Sequence, residues 1–242
     1  MDTEINANLS GRFIRCYNSV DKALRNIYDI RAGASFTEVI RISSGKNALV
    51  RKYEDDLLTY ARLRNAIVHN GVGDEAIAEP HSGVVKQFEH IVGLICEPPA
   101  AMEILGEQRV VTCRASDTLG DIVLTIARSN YANIPVENDG RIVGVLHSKN
   151  IVVALGERLY KKLPIDGNYL RTVHAGEVLG ENKSYAFADT GISIVAASSL
   201  FMIDRKLKIL MLTQTGDADS AVRAIITAEN VIAFNQIMDS YD

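Results

Sequence analysis

The feature that most restricts how this chain can fold is a repeat inside it. Val145-Leu146-His147-Ser148-Lys149-Asn150-Ile151-Val152 is echoed by Ile225-Ile226-Thr227-Ala228-Glu229-Asn230-Val231-Ile232. A second strand-like run precedes each copy, Asn133-Ile134-Pro135-Val136 in one and Ile209-Leu210-Met211-Leu212 in the other. Turn residues separate the two runs, Asn138-Asp139-Gly140 or Thr215-Gly216-Asp217. Further upstream, Asp117-Thr118 and Asp189-Thr190 each open a helical stretch. Ala101-Met102-Glu103-Ile104-Leu105-Gly106-Glu107 likewise returns as Ala175-Gly176-Glu177-Val178-Leu179-Gly180-Glu181. Each copy therefore reads strand, helix, strand, strand, helix. One such unit is too small to bury its sheet well, so the two copies are expected to share a core. Val145, Leu146, Ile225 and Ile226 are its expected buried strand positions.

Helical periodicity fills the chain before Pro99. Ile5, Leu9, Phe13, Cys16, Val20, Leu24 and Ile27 form one apolar face, which predicts a helix to about Ile30 and a break at Ala32-Gly33-Ala34. Ser35 and Glu38 have capping-box spacing and start a short helix ending near Ser43-Ser44-Gly45. From an N-cap at Asn47, Leu49, Tyr53, Leu57, Tyr60, Arg64 and Val68 predict one long helix that stops at Asn70-Gly71. After the loop Gly71-Val72-Gly73-Asp74, a last helix carries Val84, Val85, Phe88, Ile91, Val92 and Ile95, and Pro98-Pro99 closes it. The fold class is thus α+β: a four-helix bundle over 1–98, then a β-α-β-β-α pair over 99–242. Repeat one spans about 100–158 and repeat two about 174–238.

Composition narrows the function. A chain of 242 residues with 47% hydrophobic and 23% charged residues has the length and balance of two globular domains. No apolar run reaches membrane-spanning length, and MDTEINANLSGR lacks the basic start and apolar core of a signal peptide. Cys16, Cys96 and Cys113 are odd in number and far apart, which predicts reduced thiols and a cytoplasmic location. The net charge of −4 argues against a general nucleic-acid coat, and 6% aromatics without Trp give little stacking platform for single strands. Neither excludes a nuclease whose positive charge is local.

One local constellation fits that description. Arg64 and Asn65 lie one turn or so before His69, in the last turns of the long helix. There the negative end of the helix dipole favours an imidazolium, and an always-charged guanidinium beside it suits a phosphodiester. This Arg-Asn-x-x-x-His run resembles the HEPN ribonuclease superfamily. The resemblance implies metal-independent RNA cleavage at a homodimer interface, with the 2′-hydroxyl as nucleophile and Arg64, Asn65 and His69 as catalytic residues. No metal is required and no catalytic cofactor is expected.

The repeats resemble a tandem CBS-domain pair, or Bateman module, over residues 100 to 238. The carrying segments are Gly144-Val145-Leu146-His147-Ser148-Lys149-Asn150 and Ala224-Ile225-Ile226-Thr227-Ala228-Glu229-Asn230. The resemblance implies an adenine nucleotide (AMP, ADP or ATP) as regulatory ligand. It places ligand contacts at Thr227, Asn230, Ile209 and Met211 in the second copy, and at His147, Asn150, Ile134 and Pro135 in the first. The family has Thr or Ser where His147 stands and Asp where both Asn150 and Asn230 stand. A carboxamide accepts one hydroxyl and can donate to a second group, but loses a charge-assisted bond of roughly 1–2 kcal/mol, about tenfold in affinity. Thr227 with Asn230 is therefore expected to be the better-formed site.

The remaining polar clusters are bland. His81, His90 and Cys96 have no zinc spacing, and Glu54-Asp55-Asp56 point to different helix faces. Two functions remain open. One is a nucleotide-sensing ribonuclease; the other is a non-catalytic regulator whose helical domain dimerises or docks an unidentified protein partner.

Overall fold

The computed structural model describes residues 9–69, 78–106, 108–180 and 184–240, the His69 side chain excepted. α1 (Leu9–Tyr28) buries Leu9, Phe13, Cys16, Val20 and Leu24 along one face, as the periodicity predicts. It ends two residues before Ile30, where Asp29 turns to φ 50° and left-handed backbone stops the helix. Ile27, expected on the buried face, is 53% exposed. α2 (Phe36–Ser44) opens on the Ser35 box: Glu38 N donates to Ser35 Oγ (3.3 Å), and Ser35 N donates to Glu38 Oε2 (2.7 Å).

The expected long helix is two. Asn47 caps α3 (Ala48–Lys52), its Oδ1 accepting from Val50 N at 3.0 Å, and α4 (Glu54–His69) follows. Between them Tyr53 takes φ −104° and ψ 20°, away from helical values. The Tyr53 hydroxyl, reaching the Met238 carbonyl at 2.8 Å, anchors the joint. Glu54, Asp55 and Asp56 then sit in a first turn, where the helix dipole favours acids. The expected stop at Asn70-Gly71 and the loop through Asp74 lie outside the described residues.

α5 (Ser82–Cys96) packs along α1. Phe13, Tyr60 and Phe88 meet with ring centroids 4.6–5.6 Å apart, in tilted and edge-on geometries. Arg12 forks onto Glu89 through Nε (2.8 Å) and Nη2 (2.6 Å).

The repeat holds at the level of backbone register. After α6 (Ala101–Leu105), repeat one runs β1 (Cys113–Arg114), α7 (Leu119–Ser129), β2 (Asn133–Asn138), β3 (Arg141–His147) and α8 (Ser148–Tyr160). After α9 (Gly167–Thr172) and α10 (Ala175–Val178), repeat two runs β4 (Tyr185–Asp189), α11 (Ile194–Ile203), β5 (Ile209–Thr213), β6 (Val222–Thr227) and α12 (Ala228–Asp239). In each three-stranded sheet the first strand is parallel to the middle one, and the third is antiparallel. Asn133 faces His147 and Ile209 faces Thr227; each sheet bulges three residues later, at Val136/Glu137 and Leu212/Thr213. Gly140 (φ 79°) and Gly216 (φ 75°) turn the hairpins, while Gly106 (φ 64°) and Gly180 (φ 65°) follow the short helices. Ile142 and Val145 of β3 pack with Ile209 and Met211 of β5, so the sheets share a core. Val145, Leu146 and Ile226 are buried; Ile225 is only half-buried at the edge of that cluster.

By packing, the chain groups into two units that are discontinuous in sequence. One comprises Met1–Ala100, Ser193–Arg205 and Glu229–Asp242, and the other Ala101–Ile192 and Lys206–Ala228. The helices of repeat two thus group with the N-terminal helices. Ala48 N donates to Ser199 Oγ (2.9 Å) where α11 meets α3, and Lys52 pairs with Asp239 of α12 at 2.7 Å.

Candidate functional site

In the sheet-bearing unit a cavity of about 680 Å³ opens beside the start of α8. That volume falls in the range of small-molecule sites. His147, Lys149 and Asn150 supply one polar side; Ser184 and Lys208 come from the second repeat, and Glu157 and Glu177 add carboxylates. Val153, Ala154, Tyr169, Val173 and Val178 supply apolar and aromatic wall.

Local sequence explains how these groups are held. β3 ends at His147, which caps α8: Lys149 N donates to its Nδ1 at 2.9 Å, so in this geometry Nε2 carries the ring proton. Asn150 closes the box from the third helical position, Oδ1 accepting from His147 N at 3.0 Å, and its Nδ2 donates to Leu179 O at 3.2 Å. Ser148 N donates to Ala132 O (2.8 Å), so the first two amides of α8 already have acceptors. The positive charge at the cavity therefore comes from side chains, chiefly the exposed residues Lys149 and Lys208. Tyr169 is buried, with the Arg158 guanidinium 4.1 Å above its ring and Arg158 Nε donating to Pro164 O at 2.7 Å. The His174 amide, and then its ring, hydrogen-bond Glu177 and hold that carboxyl below the usual carboxylate range.

Of the ligand positions expected from sequence, His147 and Asn150 line this cavity. Ile134 and Pro135 are buried in β2, whose pairing with β1 begins only at Val136, so the backbone edge at these two residues is not taken by β1. Ile209 and Met211 are buried in β5, between Tyr185–Phe187 on one side and Ile225–Thr227 on the other. Thr227 ends β6 and Asn230 lies in the first turn of α12, both half-buried. Sequence reasoning missed Lys149, inside the repeat-one signature, and five further residues, Tyr169, Val173, Glu177, Ser184 and Lys208. All five lie outside the signature segments, and the repeated Ala175–Glu181 stretch was the one signal pointing to this wall.

Arg64 and Asn65 sit in the closing turns of α4. Arg64 Nη1 donates to Asn65 Oδ1 at 3.4 Å, and its guanidinium lies 5.6 Å from the Tyr17 ring centre. Burial raises the Tyr17 pKa, with the Arg64 charge opposing the shift. Asn65 is exposed. His69 is the last helical residue, and its side chain lies outside the described residues. His90 serves structure, with Nε2 3.1 Å from Met238 O. Among the described residues no three His, Cys, Asp or Glu side chains gather as a metal site, and no helix is long and apolar enough to cross a membrane.

Residues 103–157 match the family model of the CBS domain. Solved structures similar to this chain include the CBS domain of a CBS-domain-containing membrane protein from Sphaerobacter thermophilus, at 18% identity. That likeness covers 57% of this chain and 88% of the other, with a TM-score of 0.43. Another is the CBS domain of a bacterial CNNM/CorC family Mg2+ transporter in complex with ATP, at 17% identity over 62% and 94% of the chains, TM-score 0.44. A third is CBSX2 in complex with AMP, at 17% identity over 59% and 99%, TM-score 0.43. No curated protein matches the chain.

Proposed function

We propose that this protein is a nucleotide-sensing regulator whose CBS pair binds an adenine nucleotide in the cavity beside α8. The observation that supports it is the meeting of two lysines, a histidine and a carboxamide with an apolar wall in about 680 Å³, where repeat one carries its signature. Lys149 and Lys208 hold the phosphates, His147 Nε2–H donates to one of their oxygens, and Val153, Val173 and Val178 take the base. Thr227 and Asn230, with Ile209 and Met211, are the matching positions of repeat two and a further ligand position in this reading; Ile134 and Pro135 are the strand positions of the first. A ligand that binds only the folded state stabilises it by mass action. Thermal unfolding should therefore shift upward with AMP, ADP or ATP well above Kd, and no shift at millimolar nucleotide with any of the three would count against the reading.

The helical unit is the effector in this proposal, acting as a HEPN-type ribonuclease in a homodimer. The adjacency of Arg64 and Asn65 at the end of α4 supports it. Arg64 holds the phosphate, Asn65 orients it, and His69 moves a proton at the 2′-hydroxyl or the leaving oxygen. Positioned proton transfer contributes about 10²–10⁴-fold, so His69→Ala should lose most cleavage while the oligomer persists. Products should end in 2′,3′-cyclic phosphate, and EDTA should leave the rate unchanged. Equal cleavage by wild type and His69→Ala would mark a contaminant. No cleavage under any nucleotide condition would favour the non-catalytic regulator.

A further inference from the structure

One side chain ties the helix that opens the cavity to the segment that walls it. Val173 and the run Glu177–Gly180 flank the cavity, with Val173, Glu177, Val178 and Gly180 lining it directly. This strap is pinned along its length. Ala175 N donates to Asp117 O and Gly176 N to Ala115 O, each at 2.9 Å. Leu179 then packs against the core of repeat one, so close over Gly144 that a Cβ there would fall 2.7 Å from Leu179 Cδ2. Last comes Asn150, accepting from His147 N with Oδ1 and donating to Leu179 O with Nδ2. Gly180 follows at φ 65°, where a Cβ would lie 3.2 Å from that same Nδ2.

The second of these Asn150 bonds requires an N–H. A carboxylate at position 150 would still accept from His147 N, but it would set negative charge against the Leu179 carbonyl oxygen. We propose that Asn150 is a positioning residue, a latch that holds the 177–180 wall in place through Leu179, and that its carboxamide thereby sets how tightly the cavity binds. This rests on the reading of the cavity as a nucleotide site, but the latch belongs to the unliganded chain. Its consequence opposes the family pattern. If Asn150 were only a weaker substitute for a sugar-binding carboxylate, Asn150→Asp would tighten nucleotide binding about tenfold. As a latch, the same change loosens the wall and weakens binding.

The test is amide hydrogen exchange on the full unliganded chain, followed by nucleotide titration with ATP. In Asn150→Asp the Ala175 and Gly176 amides should exchange about tenfold faster than in wild type, with those of β5 unchanged. Near pH 4 the protonated acid regains an O–H to give Leu179, and the difference from wild type at the same pH should shrink. Asn150→Ala removes both bonds without adding charge and should loosen the same amides, which keeps the test decisive should Asn150→Asp fail to fold. Unchanged exchange at 175–176 in a folded variant, or tighter ATP binding by Asn150→Asp, overturns the latch. Absence of ATP binding by wild type strikes the nucleotide reading alone, since the exchange result decides the latch without ligand.

Discussion

Arg12 and Glu89 show how a single side-chain pair makes part of the helical unit's stability depend on pH. The Arg12 hydrogen bonds, more than its charge, hold the Glu89 carboxyl below its ordinary value of 4.5. A depressed folded-state value means the pair stabilises fully above the unfolded carboxyl value and stops doing so as pH falls through the folded one. Glu89→Gln should therefore lower the urea midpoint at pH 7, and the gap to wild type should close as pH falls through the lowered folded-state value. Cysteines make a second test at this scale. Burial pushes the Cys16 thiol up to about 11 and Cys113 up to about 12; it raises Cys96 as well, but Cys96 alone of the three is exposed. A thiol reagent at neutral pH should label Cys96 alone in the native chain and all three on unfolding. Residue identities at the site were legible in part. His147 and Asn150 stood out as departures in a repeated signature, but their partners, Lys149 N and Leu179 O, depend on packing that no local pattern encodes.

Helix faces and strand runs were the most legible elements, because burial on one side imposes a period. The Ser35 box and the Asn47 cap appear where their spacing places them, and both hairpins turn at the expected glycines. The break at Tyr53 was not legible. An apolar stripe continues through it, and the interaction that fixes it comes from Met238, 185 positions away in sequence. Tyr53→Phe, which leaves that joint one hydrogen bond poorer, should cost about 1–2 kcal/mol in unfolding experiments. Phe88→Ala, which empties the centre of the Phe13–Tyr60–Phe88 cluster, should cost about 3–5 kcal/mol. A loss below 1 kcal/mol would mean that α1, α4 and α5 do not pack as described.

At the scale of the whole molecule, the sequence conveys the order of elements better than their grouping. The repeat and the change after Pro99 mark a helical part and a repeated part, yet α11 and α12 group with the N-terminal helices. Part of the reason is readable afterwards: α11 buries Ile194, Val195, Ala197, Ser198 and Ser199, more than one face of a ten-residue helix. Such a helix carries no single amphipathic direction to assign it to a sheet or to a bundle. The grouping gives the second repeat a covalent path from strands β5 and β6 into the helical unit, through helices that both have a role in its packing. The sensor proposed above depends on the cavity at α8 taking an adenine nucleotide. Isothermal titration of AMP, ADP and ATP into the full chain tests it most directly, with wild type compared against Lys149→Glu/Lys208→Glu. Saturable binding by wild type, weakened tenfold or more in the double variant at unchanged folding, is the expected result. No heat with any of the three nucleotides at millimolar concentration, or equal binding by the double variant, would contradict it.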